Sequence, residues 1–300
     1  MMIDADHQAA LRHEAEHWLF DSEPPVSLYP RQEGLPRIRV AKVIATRGCW
    51  AQCTFCNFSY LVKRNRRSAP APVIDIAQVR HAVRERAPVD VIKLVTGLSF
   101  GEPSMYFTQL IAAVRERPDA RVQAFSAVEL DQLSRRENCS ARQILVQWCQ
   151  AGMDQLGPGG SELLIDEVRQ RVSPYRLSTE RFLEIHKVAH QSGLTSVAGL
   201  LIDRQTKPEH IIEHLDRLST IASGLDAIEL QCFEPEKSPL SIVPGARLDQ
   251  ILRALKAIKT MFPHLPVRLN QRTIFSVDRE VLLAEAGLDS VLQTVWEVEP

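Results

Sequence analysis

The sequence predicts an α/β fold, a (β/α)8 TIM-type barrel, fully closed or open at one seam, with a short N-terminal helical extension. Two observations predict it. Eight short, apolar, β-branched-rich runs recur along the chain, and amphipathic segments of crossover length separate most of them. Strands and helices alternating at this length give parallel strands with right-handed connections. Eight such units favour closure into a barrel, and 300 residues with 45% hydrophobic content suffice for its core.

Taken in order, residues 1 to 36 read as a preamble: a helix over Gln8 to Leu19, then a stretch through Pro24, Pro25, Pro30 and Pro36 that cannot continue a helix. Residues 37 to 300 form the barrel. Its strands are expected at Val40–Thr46, Val91–Gly97, Arg121–Ala127, Gln155–Gly159, Leu194–Ile202, Leu225–Phe233, Pro266–Asn270 and Ser290–Trp296, the fourth carrying the weakest pattern. Helices are expected at Ile74–Ala87, Met105–Arg117, Ala141–Ala151, Ser178–Ser192, Pro208–Ser223 and Leu248–Phe262. In the fourth of these Ser178 is the N-cap, Phe182, Ile185, Val188 and Ala189 line one face, and Gly193 supplies the stop.

Charge is balanced, with 36 Lys+Arg against 37 Asp+Glu, so no broad basic face for nucleic acid is implied and a small-molecule partner is the default. The N-terminus lacks the basic and apolar regions of a secretory signal, and no apolar run is long enough to span a bilayer. A cytoplasmic chain with no membrane partner is expected.

Three of the six cysteines fall within eight residues, Cys49, Cys53 and Cys56, directly after the first strand. Barrels place chemistry on the loops after their strands, so this C-x3-C-x2-C loop belongs at the functional mouth. Clustered thiols in a reducing compartment point to metal or redox chemistry. Three thiolates on a four-iron cluster leave one iron open for a substrate or cofactor. Two other readings stay open: a zinc site completed by a histidine, and a redox pair at Cys53-Thr-Phe-Cys56. The remaining Cys139, Cys149 and Cys232 are scattered, and Cys232 reads as a small buried hydrophobe.

The segment Cys49-x3-Cys53-x-Phe55-Cys56 resembles the signature of radical S-adenosylmethionine (SAM) enzymes. A second stretch, from Ala151 through Gly159-Gly160-Ser161-Glu162 to Pro174 and on along Phe182 to Gly193, is similar to the futalosine-pathway menaquinone enzymes (aminofutalosine synthase and dehypoxanthine futalosine cyclase) and the deazaflavin synthase subunits. The resemblance covers roughly residues 40 to 240. It implies a barrel holding a 4Fe-4S cluster, whose open iron is chelated by the amino and carboxylate groups of SAM. One electron from an external reductant such as flavodoxin or ferredoxin then releases methionine and a 5'-deoxyadenosyl radical.

The resemblance also implies site roles. Phe55 lies by the adenine. Thr96 and Gly97, with Gly101-Glu102-Pro103 just beyond, form the turn whose backbone receives the methionine amino group. Glu162 binds the ribose hydroxyls, a role that suits a carboxylate; the plainer reading is a carboxylate complementing a helix N-terminus. The chain departs from the family at Leu200-Leu-Ile-Asp203-Arg204-Gln205-Thr206, where a Gly-His-x-Glu motif is absent, and at Asn57 to Arg67. A divergent member with its own substrate is therefore expected.

Further candidates at the mouth are Lys63, Arg64, Arg66 and Arg67 as an anion clamp or a solvated basic loop. Asn270, Gln271 and Arg272 end the seventh strand, and Glu229 and Gln231 lie on the sixth. His186 with His190 and His210 with His214 sit at i,i+4, where exposed surface pairs are the expectation over a second metal site. The functional expectation is hydrogen abstraction, or radical addition and cyclisation, on a small nucleoside-like, enolpyruvyl or amino-acid-derived substrate in a biosynthetic pathway. The alternative is a non-catalytic iron-sulfur electron-transfer or sensor protein.

Overall fold

A computed structural model of the chain describes residues 5–20, 34–58, 72–98, 101–234, 245–273 and 277–300. Its eight strands are β1 (Arg37–Ile44), β2 (Val91–Val95), β3 (Arg121–Ala124), β4 (Gln155–Leu156), β5 (Thr195–Ile202), β6 (Leu225–Cys232), β7 (Val267–Asn270) and β8 (Ser290–Val298). They pair in sequence order, all parallel, and β8 pairs with β1, so the barrel is closed. The seam carries one register shift, between Val40 and Ala41.

Every expected strand is present, and the first four end two or three residues before the expected run does. The cause lies in the mouth loops. After β3, Phe125 takes a left-handed backbone (φ 52°) and Ser126 caps a helix through Val128 N–H. That helix, Ala127–Glu137, lacks an apolar stripe legible in sequence because Glu129, Asp131 and Ser134 are buried with Leu130 and Leu133 on its inner side. After β4, Gly157 N–H donates to Phe125 O at 2.7 Å, so the two mouth loops hold each other.

The helices are α1 (Ala5–Phe20), α2 (Ile76–Glu85), α3 (Ser104–Arg115), α4 (Ala127–Glu137), α5 (Ala141–Gln150), α6 (Asp166–Val172), α7 (Thr179–Gln191), α8 (Pro208–Ser219), α9 (Leu248–Met261) and α10 (Val277–Glu285). Of these α4, α6 and α10 were not expected. Helix starts follow local chemistry: Asp75 caps α2, Ser140 and Gln143 form a capping box on α5, and Ser178 caps α7. α1 packs against α9 and α8, while the Pro24, Pro25 and Pro30 part of the preamble lies outside the described residues. Among the described residues no helix is long and apolar enough to cross a membrane.

Between sheet and helices the core is built on Phe107, Phe125 and Trp148, whose rings meet at 5.1 Å centroid spacing in each successive pair. The histidines expected on exposed faces belong partly to this layer, because α7 and α8 turn them toward the sheet. His186 and His214 are fully buried. Ser196 Oγ lies 2.9 Å from both His186 Nδ1 and His190 Nε2, and His214 Nδ1 accepts from Leu164 N–H. Burial pushes both His186 and His214 down to about 3. Their folded values lie below the ordinary 6.5, so between those limits the unfolded chain binds protons that the native chain refuses. Stability is therefore expected to fall as pH drops from 6.5 toward 5, by up to about 1.4 kcal/mol per pH unit for each histidine. Urea unfolding measured across that window checks this, and His214→Gln should show a shallower slope.

Candidate active site

The cysteine loop leaves β1 stitched to the end of β2. Ala45 N–H donates to Val95 O at 2.9 Å, Gly97 N–H to Thr46 O at 2.7 Å, and Ile74 N–H returns to Ala45 O at 2.8 Å. At Gly97 the approach leaves no room for a side chain, since a Cβ there would lie 1.9 Å from Gly48 O. Thr96, buried beside it, donates its hydroxyl to Gly97 O at 3.0 Å. Farther along, Gln52 turns the loop with a left-handed backbone (φ 53°), and Thr54 N–H is tied to Val172 O, the last residue of α6, at 2.8 Å. The loop is thus pinned to both β2 and α6.

This path buries Cys49 and Cys53 and leaves Cys56 half-buried. Burial pushes the Cys53 thiol up to about 12, opposed by Arg176, and each neighbouring cysteine raises it further as a like charge. Burial raises Cys49 too, against a hydrogen bond from the Leu98 backbone. Three soft thiols close enough to disfavour one another's ionisation become thiolates only against compensating positive charge, which bound iron supplies. The donor set fits an iron-sulfur cluster. Among the described residues no three His, Cys, Asp or Glu groups converge on one metal-ion point; a four-iron cluster asks for no such convergence, because each thiolate meets a different iron.

Facing the thiols is an ion pair that sequence reading half missed. Glu162 follows the Gly157–Ser161 turn after β4, and its Oε1 accepts from Arg176 Nη1 at 2.5 Å and from Gly160 N–H at 3.3 Å. Their side chains are only 17% and 13% exposed. Burial opposes ionisation of Glu162, but the Arg176 guanidinium outweighs it and holds the carboxyl below its usual range. The helix-dipole reading of Glu162 does not describe its position, since α6 begins at Asp166 and takes Asp166 and Glu167 into its first turn. Arg176 also lies over the Phe55 ring at 5.5 Å and acts on Cys53 and Cys56 as an attracting charge. It stands two residues past Pro174, where the family-like stretch was broken off. Arg169 is a brace, donating to Gly160 O at 2.6 Å and Leu177 O at 2.7 Å.

Two cavities meet at Phe55. One, about 440 Å³, is the barrel lumen, lined by Phe55, Lys42, Lys93, Glu229, Gln231 and Asn270 among others. The second, about 260 Å³, is bounded by Thr54, Phe55, Glu162, Leu201, Asp203 and Phe233. Phe55 and Glu162 therefore share a wall, while Thr96 and Gly97 meet the cysteine loop from the β2 side. Glu229 and Gln231 both face the lumen, two residues apart on one strand face. Cys232 lines it too, half-buried rather than sealed in the core as expected. Arg272 lines the lumen with Asn270, whereas Gln271 is exposed on a 3-10 turn outside that lining.

Of the divergent segment after β5, Asp203, Gln205 and Thr206 border the second cavity, where Asp203 Oδ1 accepts from Gln205 N–H and the Thr206 hydroxyl. Gly101 N–H is taken by the side chain of its neighbour Glu102 at 3.0 Å. Lys63, Arg64, Arg66 and Arg67 lie outside the described residues, as do Ser99 and Phe100 between Gly97 and Gly101. Lys42 and Lys93 went unremarked in sequence because each reads as a lone polar residue in an apolar strand.

Residues 43–218, more than half of the chain, match the family model described as the Radical SAM superfamily. The chain belongs to the radical SAM superfamily. Among relatives of this radical SAM chain, the aminodeoxyfutalosine synthase of Thermus thermophilus is 28% identical over 237 residues, covering 75% of this chain and 63% of that protein. FO synthase of Streptomyces coelicolor is 26% identical over 232 residues, 74% of this chain and 26% of that protein. The chain thus spans less than two thirds of these relatives, as a divergent member. Among solved structures, methylornithine synthase (PylB) superposes with a TM-score of 0.67 at 16% identity, over 97% of this chain and 79% of that one. HydG, a maturase of the [FeFe]-hydrogenase, gives 0.65 at 12% identity, over 97% and 62%. At such identities the likeness is one of fold, the closed barrel described above. Radical SAM membership implies a 4Fe-4S cluster and SAM.

The Gly97 contact yields a prediction. In Gly97→Ala the added methyl must displace the Gly48 backbone and with it Cys49. Iron bound after anaerobic reconstitution is expected to fall at least severalfold while far-UV circular dichroism stays that of the parent.

Proposed function

We propose that the chain is a radical SAM enzyme in which Cys49, Cys53 and Cys56 hold the 4Fe-4S cluster and the lumen beneath Phe55 holds a small organic substrate. The observation that carries this reading is the juxtaposition of two buried thiols and a half-buried third with the Glu162–Arg176 pair, Glu162 lining a cavity that shares Phe55, Leu201 and Phe233 with the lumen. When bound, the cluster supplies the electron that splits SAM into methionine and a 5'-deoxyadenosyl radical.

The chain's own residues then have separable tasks. Glu162, held as a carboxylate by Arg176, is the acceptor for two ribose hydroxyls. Arg176, whose charge acts on Cys53 and Cys56, would be the donor for the carboxylate of SAM. Phe55 presents a flat apolar face to the adenine, and Thr96 with Gly97 supplies backbone acceptors beside Cys49. Leu201 and Phe233 give apolar wall to both the cavity at Glu162 and the lumen.

The reaction class this arrangement suits is hydrogen abstraction, or radical addition and cyclisation, on a nucleoside-like, enolpyruvyl or amino-acid-derived molecule. Flavodoxin or ferredoxin would supply the electron from outside. A purely electron-carrying protein would have no use for a lumen of about 440 Å³ beside its cluster.

Anaerobic reconstitution with iron and sulfide, followed by SAM and dithionite, is expected to give 5'-deoxyadenosine. Cys53→Ala should give none, and Glu162→Gln should raise the KM for SAM by about tenfold or more, consistent with loss of a charged hydrogen-bond acceptor. Parent protein no better than Cys53→Ala would remove the enzymatic reading, and bound zinc without iron would remove the cluster.

A further inference from the structure

The lumen holds a charge that the roles above do not use. β1 and β2 pair so that Lys42 lies directly beside Lys93, both lining the lumen cavity. Like charges on adjacent strands repel. Lys93 is neutralised, its Nζ 2.5 Å from Glu229 Oε1 with side chains 12% and 7% exposed. For Lys42 no hydrogen-bond or ion-pair partner lies among the described residues.

The carboxylates around it are committed elsewhere. On its other side the register partner is Glu297, taken by Arg47 Nη2 at 2.8 Å. Glu229 is held by Lys93. Glu129, on the lumen wall, hydrogen-bonds Ser126 and is pushed toward its neutral form by burial, and Glu234 at the rim has a contact of its own. Arg272 brings a third cation to the same cavity. Burial first, then Lys93, depresses the Lys42 ammonium, Arg272 adding to it and the charges of Glu297 and Glu229 opposing it. An ammonium that lines a cavity without a hydrogen bond or ion pair of its own among the described residues is left for a ligand to satisfy.

We propose that Lys42, with Arg272 at the rim, is the seat for an anionic oxygen group of the substrate, a carboxylate or a phosphate, and that this contact decides which end of the substrate enters the lumen. This rests on the reading of the lumen as the substrate site. Gln231 and Asn270, on the same cavity wall, bring amide groups that can donate further hydrogen bonds to such an oxyanion. A neutral substrate would leave Lys42 as unsatisfied as before.

The test is isothermal titration calorimetry on the full chain with cluster and SAM in place, using benzoate, its neutral counterpart benzamide, and inorganic phosphate. Saturable binding of benzoate or phosphate is expected, with benzamide at least about tenfold weaker; benzoate without phosphate assigns a carboxylate, and the reverse a phosphate. Lys42→Met should lose about tenfold or more in anion affinity without lowering the melting temperature, since it deletes one of two repelling charges, while Lys42→Arg keeps binding. Should Lys42→Met not fold, Lys42→Gln carries the same expectation. Equal binding of benzoate and benzamide, unchanged anion affinity in Lys42→Met, or no saturable anion binding would overturn the proposal. Measuring 5'-deoxyadenosine production on the same reconstituted protein separates it from the radical reading: anion binding without production retains the seat and removes the chemistry, and the converse removes the seat alone.

Discussion

The ion pair between Glu162 and Arg176 is the constraint on which the mouth of this barrel depends. A carboxylate and a guanidinium, each mostly hidden from solvent, are held 2.5 Å apart beside three cysteines. Taking both charges out of water is costly, and only close pairing with added hydrogen bonds offsets it. Here Gly160 N–H completes Glu162, and Arg176 is shared between the carboxylate, the Phe55 ring and the field of the thiols. The pair joins the turn after β4 to the loop after β1, and α6, tied to Thr54 through Val172, braces that junction from outside.

The barrel converts these local contacts into a site. Parallel strands carry all their C-terminal loops to one end, so thiols from the first unit and the carboxylate from the fourth meet although more than a hundred residues separate them in sequence. Close backbone approaches at Gly97 and Gly157 draw neighbouring loops together where a side chain would hold them apart. Below the mouth the lumen is charged, unlike the layered apolar interior usual for this fold. Lys93 and Glu229 pair within it, and Lys42 and Arg272 line it as well.

Much of this was legible in sequence, and the parts that were not have physical reasons. The strands were found because short apolar runs with β-branched residues survive in seven of them; β4, Gln155–Leu156, has none, and its pattern was the weakest. The ends of the first four were overestimated because residues that leave the ladder, such as Phe125 and Ala45, stay apolar and buried in the mouth. α4 was not expected because its inner face buries Glu129 and Asp131, which sequence reading assigns to solvent. The thiols and Glu162 were visible as a motif. Arg176 was not, since its importance comes from where α6 and the following turn deliver it. Lys42 and Lys93 became a pair only through strand register, which no spacing in the sequence reveals.

The central claim is that the three thiols hold a four-iron cluster with one iron left open on the side of Glu162 and Arg176. Electron paramagnetic resonance of the reduced, reconstituted chain tests it most directly, recorded before and after SAM is added. The account predicts a 4Fe-4S spectrum whose g-values shift with SAM in the parent, and shift far less at the same SAM concentration when Glu162 is replaced by alanine. A cluster spectrum indifferent to SAM in the parent protein would contradict it.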